Sequence, residues 1–140
     1  MQRTFVICKP DAVERGLVGE IVGRFERKGL TIASAELRTI DEATASKHYE
    51  EHAERPFFGD LIAFITRSPA MLLILEGPDE AGDDVFAIVR AMMGTTNPAQ
   101  SAAGTIRGDL GLVVTENLVH GSDSVESAER EIGIFFPESS

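Results

Sequence analysis

The sequence has one cysteine, no tryptophan and no apolar run long enough to cross a bilayer. Cys8 has no second cysteine with which to form an internal disulfide, which suits a reducing cytoplasm. The longest apolar run, residues 70–75, is far shorter than the roughly 20 residues of a transmembrane helix. The N-terminal residues contain no apolar segment followed by a small-residue cleavage site, so no signal peptide is expected. These features predict a cytoplasmic protein with no membrane contact.

Positive charge is also scarce. The 140 residues include 13 Lys or Arg and 23 Asp or Glu, which gives a net charge of −10. A protein that binds duplex nucleic acid presents a broadly basic face, so stable nucleic-acid binding is not expected. Such acidity is found in proteins from salt-rich habitats and in ordinary bacterial proteins alike. An acidic protein can still bind phosphates where a few cations converge. The length and the 43% hydrophobic content predict a single domain over residues 1–140.

Two common nucleotide-binding motifs are missing. The sequence has no G-x-x-x-x-G-K-[ST] and no G-x-G-x-x-G that opens a helix. His48 and His52 are spaced i, i+4, but the zinc-protease motif requires Glu directly after the first His, and no third ligand is evident. A solvated helix face is therefore favoured over a metal site for this pair.

Hydrophobic periodicity predicts four strands and five helices. The strands are expected at residues 4–8, 30–38, 71–75 and 118–120. The helices are expected from Val18, after the N-cap candidate Asp41 to about His52, from Pro56, and from Val85 and Val125. Segment 95–111 shows no periodicity, and a loop that long in a compact domain is usually functional. The order β-α-β-α-α-β-α-β-α predicts an α+β, ferredoxin-like split βαβ sandwich, a four-stranded antiparallel sheet covered by helices.

His120 is the residue best suited to carry chemistry. It ends a predicted strand and is followed by Gly121 and a polar turn, a place where a side chain can face a cleft. A neutral imidazole is a fair nucleophile near pH 7. From this segment alone, a histidine that merely bonds the backbone is equally plausible, and Ser122, Asp123 and Ser124 are good helix N-cap candidates.

Three cations complement this histidine. Lys9 ends the first strand, Arg90 lies off the apolar stripe of its helix, and Arg107 lies in the long loop. Together with His120 they form a set suited to phosphoryl transfer, provided that folding brings them together. The sequence spacing alone does not establish that convergence.

Seven short motifs resemble the nucleoside diphosphate kinase family, and they span the chain almost from end to end. The last, residues 117–124 (N-L-V-H-G-S-D-S), contains the family signature Asn-x-x-His-Gly-Ser-Asp. The others are residues 9–11 (K-P-D), 15–21 (R-G-L-V-G-E-I), 48–49 (H-Y), 55–58 (R-P-F-F), 96–98 (T-N-P) and 104–109 (G-T-I-R-G-D). Their shared order makes chance agreement negligible and indicates a short, bacterial-type member.

The resemblance implies a catalytic role for each matching position. His120 corresponds to the nucleophile that becomes phosphohistidine, and Ser122 and Glu131 correspond to the residues that hold it in position. Lys9 and Tyr49 correspond to groups that steady the transferred phosphoryl group.

The resemblance also implies a nucleotide site. The matching positions are Arg90, Thr96 and Arg107 for the outer phosphates, Lys9 and Asn117 for the 3′-hydroxyl of the sugar, and Phe57, Leu61 and Val114 for the base. A base held by stacking alone is recognised by its π-face, so broad use of purines and pyrimidines is expected.

The implied reaction transfers the terminal phosphoryl group of an NTP, mainly ATP, to an NDP or dNDP by a ping-pong mechanism. The implied cofactor is Mg²⁺, carried on the nucleotide phosphates without a direct protein ligand and reaching Asp123 through water. The implied partners are nucleoside di- and triphosphates and further copies of the chain, with a hexamer favoured over a tetramer or dimer. The alternative is a catalytically silent, ferredoxin-like nucleotide-binding sensor, which would require a missing nucleophile or phosphate ligand.

One segment departs from the family pattern. Residues 77–89 are acidic and form a longer connection than the family has, so the match at Arg90 depends on where the gap is placed. We expect a lengthened turn or helix start ahead of Arg90, which keeps the family's spacing to Thr96.

Overall fold

The computed structural model describes residues 1–81 and 84–139, and within them it contains four strands and seven helices. The strands are β1 (Gln2–Cys8), β2 (Thr31–Arg38), β3 (Ala70–Gly77) and β4 (Val119–Gly121). The helices are α1 (Pro10–Glu14), α2 (Val18–Lys28), α3 (Glu42–His48), α4 (Phe58–Thr66), α5 (Val85–Met93), α6 (Ile106–Leu110) and α7 (Val125–Phe135). Short 3₁₀ turns lie at Glu50–His52, Asp79–Ala81, Pro98–Gln100 and Pro137–Ser139.

The strands form one antiparallel sheet in the order β2-β3-β1-β4. In the β1–β4 pair, Ile7 lies opposite His120 and Cys8 lies opposite Val119. This register places His120 beside the carboxyl-terminal end of β1, the end that Lys9 follows. The predicted ferredoxin-like α+β sandwich is confirmed.

Helices cover both faces of the sheet. Successive side chains of β1 point to opposite faces. Val6 and Cys8 pack in a core cluster with α2 and α5, and Phe5 and Ile7 pack in a second cluster with α3, α4 and α7. All four side chains are fully buried. A strand covered on both faces reads as a continuous apolar run, which is how β1 appears in the sequence.

The edge position of β2 explains its loose sequence alternation. Its pairing with β3 shifts between Ile32 and Ser34, and most of its residues are exposed or half-buried. Such an irregularity breaks the simple two-residue alternation of side chains. The outer side of β2 pairs with no strand among the described residues, which leaves it free to pair with another chain.

Of the side chains expected to cap helices, Asp41 and Ser124 do so, whereas Ser122 and Asp123 bond to side chains of α7. The Thr44 amide donates to Asp41 Oδ1 at 2.7 Å at the start of α3. At the start of α7, the Ser127 amide donates to Ser124 Oγ at 2.9 Å. Each bond satisfies a backbone donor that has no partner within the helix.

Two helix boundaries differ from the prediction. α3 ends at His48, and a 3₁₀ turn then reaches His52, because the chain leaves the helical path at Tyr49. α4 begins at Phe58 and not at Pro56, since residues 53–57 form turns. The second difference leaves Phe57 outside the helix, with its side chain about half exposed.

α1 and α6 were not expected from the sequence. Each has five residues, too few to show helical periodicity. Pro10 lies in the first turn of α1, and the Gly108 amide donates to the capping Thr105 Oγ1 at 3.0 Å in α6. The expectation that segment 95–111 lacks regular structure is therefore wrong for residues 106–110.

Over the described ranges, every helix is too short or too polar to cross a bilayer. The acidic connection before α5 contains the turn Asp79–Ala81, and Gly82 and Asp83 of that connection lie outside the described residues. α5 begins at Val85, as its apolar spacing predicts.

Candidate active site

His120 lies in the middle of β4 and lines a cavity of ≈ 390 Å³, the histidine cavity, together with Tyr49, Arg90, Asp123 and Glu131. Its side chain is 25% exposed, so the ring is anchored in the protein while one part remains accessible. The histidine faces a cavity, as expected, but from the middle of β4, because the strand runs to Gly121 and does not end at His120 as the sequence predicts.

Glu131 and Ser122 fix the orientation of the His120 ring. Glu131, buried on α7, lies with Oε1 2.9 Å from His120 Nε2, and it accepts a second bond from Ser122 Oγ at 2.6 Å. Burial alone would raise the pKa of Glu131, but these hydrogen bonds and the nearby imidazoles hold it below the usual value. The ionised carboxylate therefore accepts from Nε2–H, which leaves Nδ1 as the nitrogen with a lone pair.

His48 is buried beside His120, which corrects the expectation of a solvated helix face. Its side chain is 2% exposed, and its ring meets that of His120 edge-on at a centroid distance of 4.8 Å. The fold produces this position because α3 packs its inner face against α7, with His48 5.4 Å from the Phe135 ring. Burial, aided by His120, lowers the pKa of His48 to about 3, so its imidazole is neutral near pH 7. His52 remains partly exposed, as expected.

Tyr49 borders both the histidine cavity and a second, larger opening. This opening, the aromatic cleft, has a volume of ≈ 740 Å³ and is lined by Phe57, Leu61 and Val114 among others. Phe57 is 44% exposed and Val114 is 48% exposed. Burial and the charge of Glu131 raise the pKa of Tyr49 to about 12, so its hydroxyl keeps its proton.

Lys9 and Asn117 form a polar pair at the other wall of the aromatic cleft. Lys9 Nζ donates to Asn117 Oδ1 at 2.9 Å, and Asn117 Nδ2 donates to the Thr96 carbonyl at 3.0 Å. Burial, together with the charge of Arg107, lowers the pKa of Lys9 to about 8, and Asp11 opposes this shift. Lys9 therefore carries its charge at pH 7, but with little margin.

Leu118 has a strained backbone next to this pair, with φ at 74°. The buried Asp11 holds it in place, because Asp11 Oδ2 accepts from the Leu118 amide at 3.0 Å. The Lys9 amide donates to the Leu118 carbonyl at 2.8 Å. Both backbone groups of Leu118 are thus tied to the end of β1, next to the Lys9–Asn117 pair. This role of Asp11 was not expected from the sequence, although residues 9–11 form one of the motifs that resemble the family.

Arg107 is buried and serves mainly as a scaffold. Its guanidinium donates to the carbonyls of Gly94, Thr95, Asn117 and Val119, at distances from 2.6 to 3.3 Å. A guanidinium has five N–H groups, so these four bonds leave one, on Nη2, for a ligand. Burial and the charge of Arg90 lower the pKa of Arg107 to about 10, which leaves it charged at pH 7.

Arg90 and Thr96 are exposed, in contrast to Arg107. Arg90 Nη1 donates to the Gly121 carbonyl at 2.9 Å, which holds the arginine next to the strand that carries His120. Thr96 lines the aromatic cleft beside Asn117. The expectation that Arg90 lies off the buried stripe of α5 is confirmed.

Asp123 follows the histidine strand and is exposed at the histidine cavity. Its Oδ1 accepts from Ser127 Oγ at 2.7 Å, so the carboxylate is oriented by α7. Every residue expected from the sequence to serve chemistry or nucleotide binding therefore lines one of the two openings or bonds directly to a residue that does.

The family model for nucleoside diphosphate kinase matches residues 2–140. A nucleoside diphosphate kinase of Gloeobacter violaceus is 57% identical over 136 residues, which cover 97% of this chain and 88% of that protein. One from Mycobacteroides abscessus is 56% identical over 137 residues, covering 97% of each.

Solved structures of the same family resemble the fold of this chain. A nucleoside diphosphate kinase family protein from Babesia bovis superposes with a TM-score of 0.90 at 46% identity, over 99% of this chain and 90% of that one. A halophilic nucleoside diphosphate kinase from Halobacterium salinarum, in complex with CDP, gives a TM-score of 0.89 at 46% identity, over 96% of this chain and 87% of that one. The chain therefore belongs to the nucleoside diphosphate kinase family, and its activity is that of this phosphotransferase.

Proposed function

We propose that the chain transfers the terminal phosphoryl group of an NTP, mainly ATP, to an NDP or dNDP through phosphorylated His120. The observation that supports this most directly is the contact of 2.9 Å between His120 Nε2 and the buried carboxylate of Glu131. This contact turns the lone pair of Nδ1 toward reaction, because the carboxylate retains the proton on Nε2.

The reaction has two half-steps that use one site in turn. The Nδ1 lone pair attacks the terminal phosphorus, the bond to the bridging oxygen breaks, and the electron pair leaves with the diphosphate. The ring is then positively charged, and Glu131 balances that charge while Ser122 holds the carboxylate. In the second half-step, a diphosphate oxygen attacks the phosphohistidine and the imidazole leaves as a neutral group. Ping-pong kinetics follow from this alternation.

The remaining side chains of the site would bind the phosphate groups. Lys9, Arg90 and the last N–H of Arg107 would neutralise charge on the phosphate oxygens in the transition state. The protonated Tyr49 hydroxyl would donate a hydrogen bond to the transferred group. Thr96 adds a hydroxyl for the outer phosphates.

The aromatic cleft would hold the nucleoside. The half-exposed ring of Phe57 offers a stacking surface, and Leu61 and Val114 provide apolar walls. Lys9 and Asn117 would bond the 3′-hydroxyl. Because neither interaction depends on the base edge or the 2′-hydroxyl, the proposed site accepts purines and pyrimidines with ribose or deoxyribose.

Kinases of this family depend on a divalent metal ion, and we propose that the ion is Mg²⁺, bound with the nucleotide. The histidine cavity fits a hydrated ion of this kind, because the Asp123 carboxylate lies at its edge in an orientation set by Ser127. When bound, Mg²⁺ supplies positive charge to the phosphate oxygens. Asp123 would contact the ion through water, with no direct protein ligand.

We propose that residues 1–140 form one domain that acts in the cytoplasm as a homo-oligomer, with a hexamer favoured over a tetramer or dimer. Among the described residues, no strand pairs with the outer side of β2, and Leu37 of this strand is exposed; both features support pairing between copies. The exposed apolar residues Leu112 and Val113 offer a second contact surface. The net charge of −10 argues against stable nucleic-acid binding.

The alternative of a catalytically silent nucleotide sensor gains no support. Such a protein would lack the nucleophile or a phosphate ligand, whereas His120 and the cations Lys9, Arg90 and Arg107 are all present around the two openings.

Incubation with γ-³²P-labelled ATP tests the proposal. We expect label on the protein that resists alkali, is released by acid and leaves when any NDP is added. His120→Ala should abolish labelling, while His52→Ala, at the partly exposed histidine, should label normally. Label that persists in His120→Ala would assign the phosphoryl group to another residue and refute the mechanism.

A further inference from the structure

One group at the histidine cavity has no part in the proposed reaction. His48 Nδ1 is buried and finds no hydrogen-bond partner among the described residues. It lies 3.9 Å from Glu131 Oε2, too far for a hydrogen bond. An unpaired buried nitrogen is costly, so a native protein usually gives it a partner.

Three potential metal ligands meet at this point. Nitrogen atoms of His48 and His120 and a carboxylate oxygen of Glu131 all lie within 4.8 Å of one another. Two histidines and a glutamate are a known ligand set for zinc. Zinc bonds of about 2.0 to 2.2 Å place tetrahedral ligand atoms about 3.3 Å apart. The two contacts involve different oxygens of Glu131: Oε1 lies 2.9 Å from His120 Nε2, and Oε2 lies 3.9 Å from His48 Nδ1. Both separations are close to that value, so small rotations of the three side chains would bring one carboxylate oxygen and the two nitrogens into a ligand set.

We propose that His48, His120 and Glu131 bind Zn²⁺, or a related late transition-metal ion, and that the bound ion inhibits the kinase. The fourth position would be taken by water from the histidine cavity. Imidazole nitrogens suit zinc, copper and nickel, whereas Mg²⁺ prefers oxygen ligands and a full hydration shell. The metal carried by the nucleotide therefore does not compete for this site.

The charges around the cavity permit a cation to enter. The residues that line it include two arginines, Arg90 and Arg130, and four carboxylates, so negative charge predominates. The carboxylates are those of Glu50, Glu51, Asp123 and Glu131.

Inhibition follows from the tautomers of His120. A neutral imidazole has one lone pair, and the bond to zinc uses that of Nε2, so the Nε2 proton moves to Nδ1. Nδ1–H has no lone pair with which to attack phosphorus. Conversely, a phosphoryl group on Nδ1 with a proton on Nε2 leaves no lone pair for zinc. Phosphorylation and zinc binding thus exclude each other. Only the inhibition rests on the proposed function, because zinc binding itself requires just the three side chains.

Calorimetric titration of nucleotide-free protein with ZnCl₂ tests the binding. We expect one site per chain, with affinity at least about tenfold weaker in His48→Gln and unchanged in His52→Gln, and no comparable binding of MgCl₂. Unchanged affinity in His48→Gln, or loss in His52→Gln, would overturn the proposal. If His48→Gln does not fold, ¹⁵N spectra of the imidazoles in the wild-type protein test whether zinc binds at this site. The chain has three histidines, so the signal of each imidazole can be assigned. Zinc should shift the signals of His48 and His120; a shift of His52 alone, or none, refutes the site.

A second titration tests the inhibition with phosphorylated protein freed of nucleotide. We expect zinc affinity at least about tenfold weaker than in the unphosphorylated protein. Equal affinity, or normal phosphorylation of zinc-loaded protein, would overturn the inhibition. Failure of zinc-free protein to accept label would refute the proposed kinase mechanism and leave the metal site standing.

Discussion

The histidine cavity and the aromatic cleft are built in opposite ways, although they meet at Tyr49. Around His120, the partners Glu131 and Ser122 are buried and joined by contacts of 2.6 and 2.9 Å. In the cleft, Phe57 is about half exposed and is held by no comparable network of bonds.

In the proposed mechanism, this difference separates the transfer of the phosphoryl group from the recognition of the nucleotide. Transfer of a phosphoryl group requires one nitrogen at one angle, and buried hydrogen bonds fix such an angle. Acceptance of many bases requires a surface that makes few directional demands, and an exposed aromatic ring is such a surface. A substitution in the cavity should therefore reduce turnover, whereas one in the cleft should reduce affinity for all nucleotides alike.

The largest effect is expected for Glu131→Gln. Glutamine keeps an oxygen that can accept from Nε2–H, but it cannot balance the positive ring, so the rate of phosphoenzyme formation should fall on the order of 100-fold. Rapid-quench labelling with ATP measures this rate. Glu129→Gln is the matched control, since Glu129 lies on the same helix and pairs with Arg3 at the surface. A rate in Glu131→Gln close to that of the control would show that the carboxylate charge is unimportant.

The next largest effect is expected for Arg107→Ala, which tests whether Arg107 stabilises the fold more than the exposed Arg90 does. Removal of the Arg107 side chain takes one donor from each of four backbone carbonyls, of which those of Thr95 and Asn117 keep a second donor. The free energy of unfolding should therefore fall by about 2 to 4 kcal/mol. Arg90→Ala removes one bond from an exposed side chain and should change stability by less than about 1 kcal/mol. Urea unfolding of both variants measures the difference, and equal losses would contradict the scaffold role of Arg107.

Phe57→Ala tests the cleft. Loss of the stacking surface should raise KM about fivefold to tenfold, corresponding to about 1 kcal/mol, with little change in the rate of transfer. The increase should be similar for ATP, GTP and CTP. Val125→Ala, at an exposed apolar residue of α7 outside the cleft, is the control. A loss confined to one base would show that the cleft recognises base edges.

Much of the fold could be predicted, because long elements carry a clear pattern. The apolar run of β1 predicted that strand correctly, and the N-cap residues Asp41 and Ser124 predicted the starts of α3 and α7. Burial and helix capping each require particular residue types, so both can be recognised in a sequence. α1 and α6 have about one turn each, which is too short to produce a recognisable hydrophobic pattern. Their positions depend on contacts between distant segments, such as the bonds from Arg107 to carbonyls of Gly94 and Val119.

The residues of the candidate site could be predicted from the sequence, but the separate role of each residue could not. The motif around His120 identified the nucleophile candidate, and the resemblance supplied its companions. Burial distinguishes Arg107 from Arg90, and burial is a property of the assembled fold. His48 illustrates the same point, because its spacing from His52 suggested a shared solvated face. In the structure the helix ends between them, and His48 is buried whereas His52 stays partly exposed.

The smallest effect concerns Lys9, which lines the aromatic cleft. Its pKa is lowered to about 8 by burial and by Arg107, so its charge is lost as the pH rises through that value. We expect kcat/KM, which reports the free enzyme, to fall about twofold from pH 7 to pH 8 and more steeply above it. Tyr49, with a pKa of about 12, and Arg107, with a pKa of about 10, keep their protons over this interval. Lys9→Arg should lower the rate but abolish the decline, because a guanidinium stays charged. The same decline in Lys9→Arg would assign it to another group and separate the charge of Lys9 from phosphate binding.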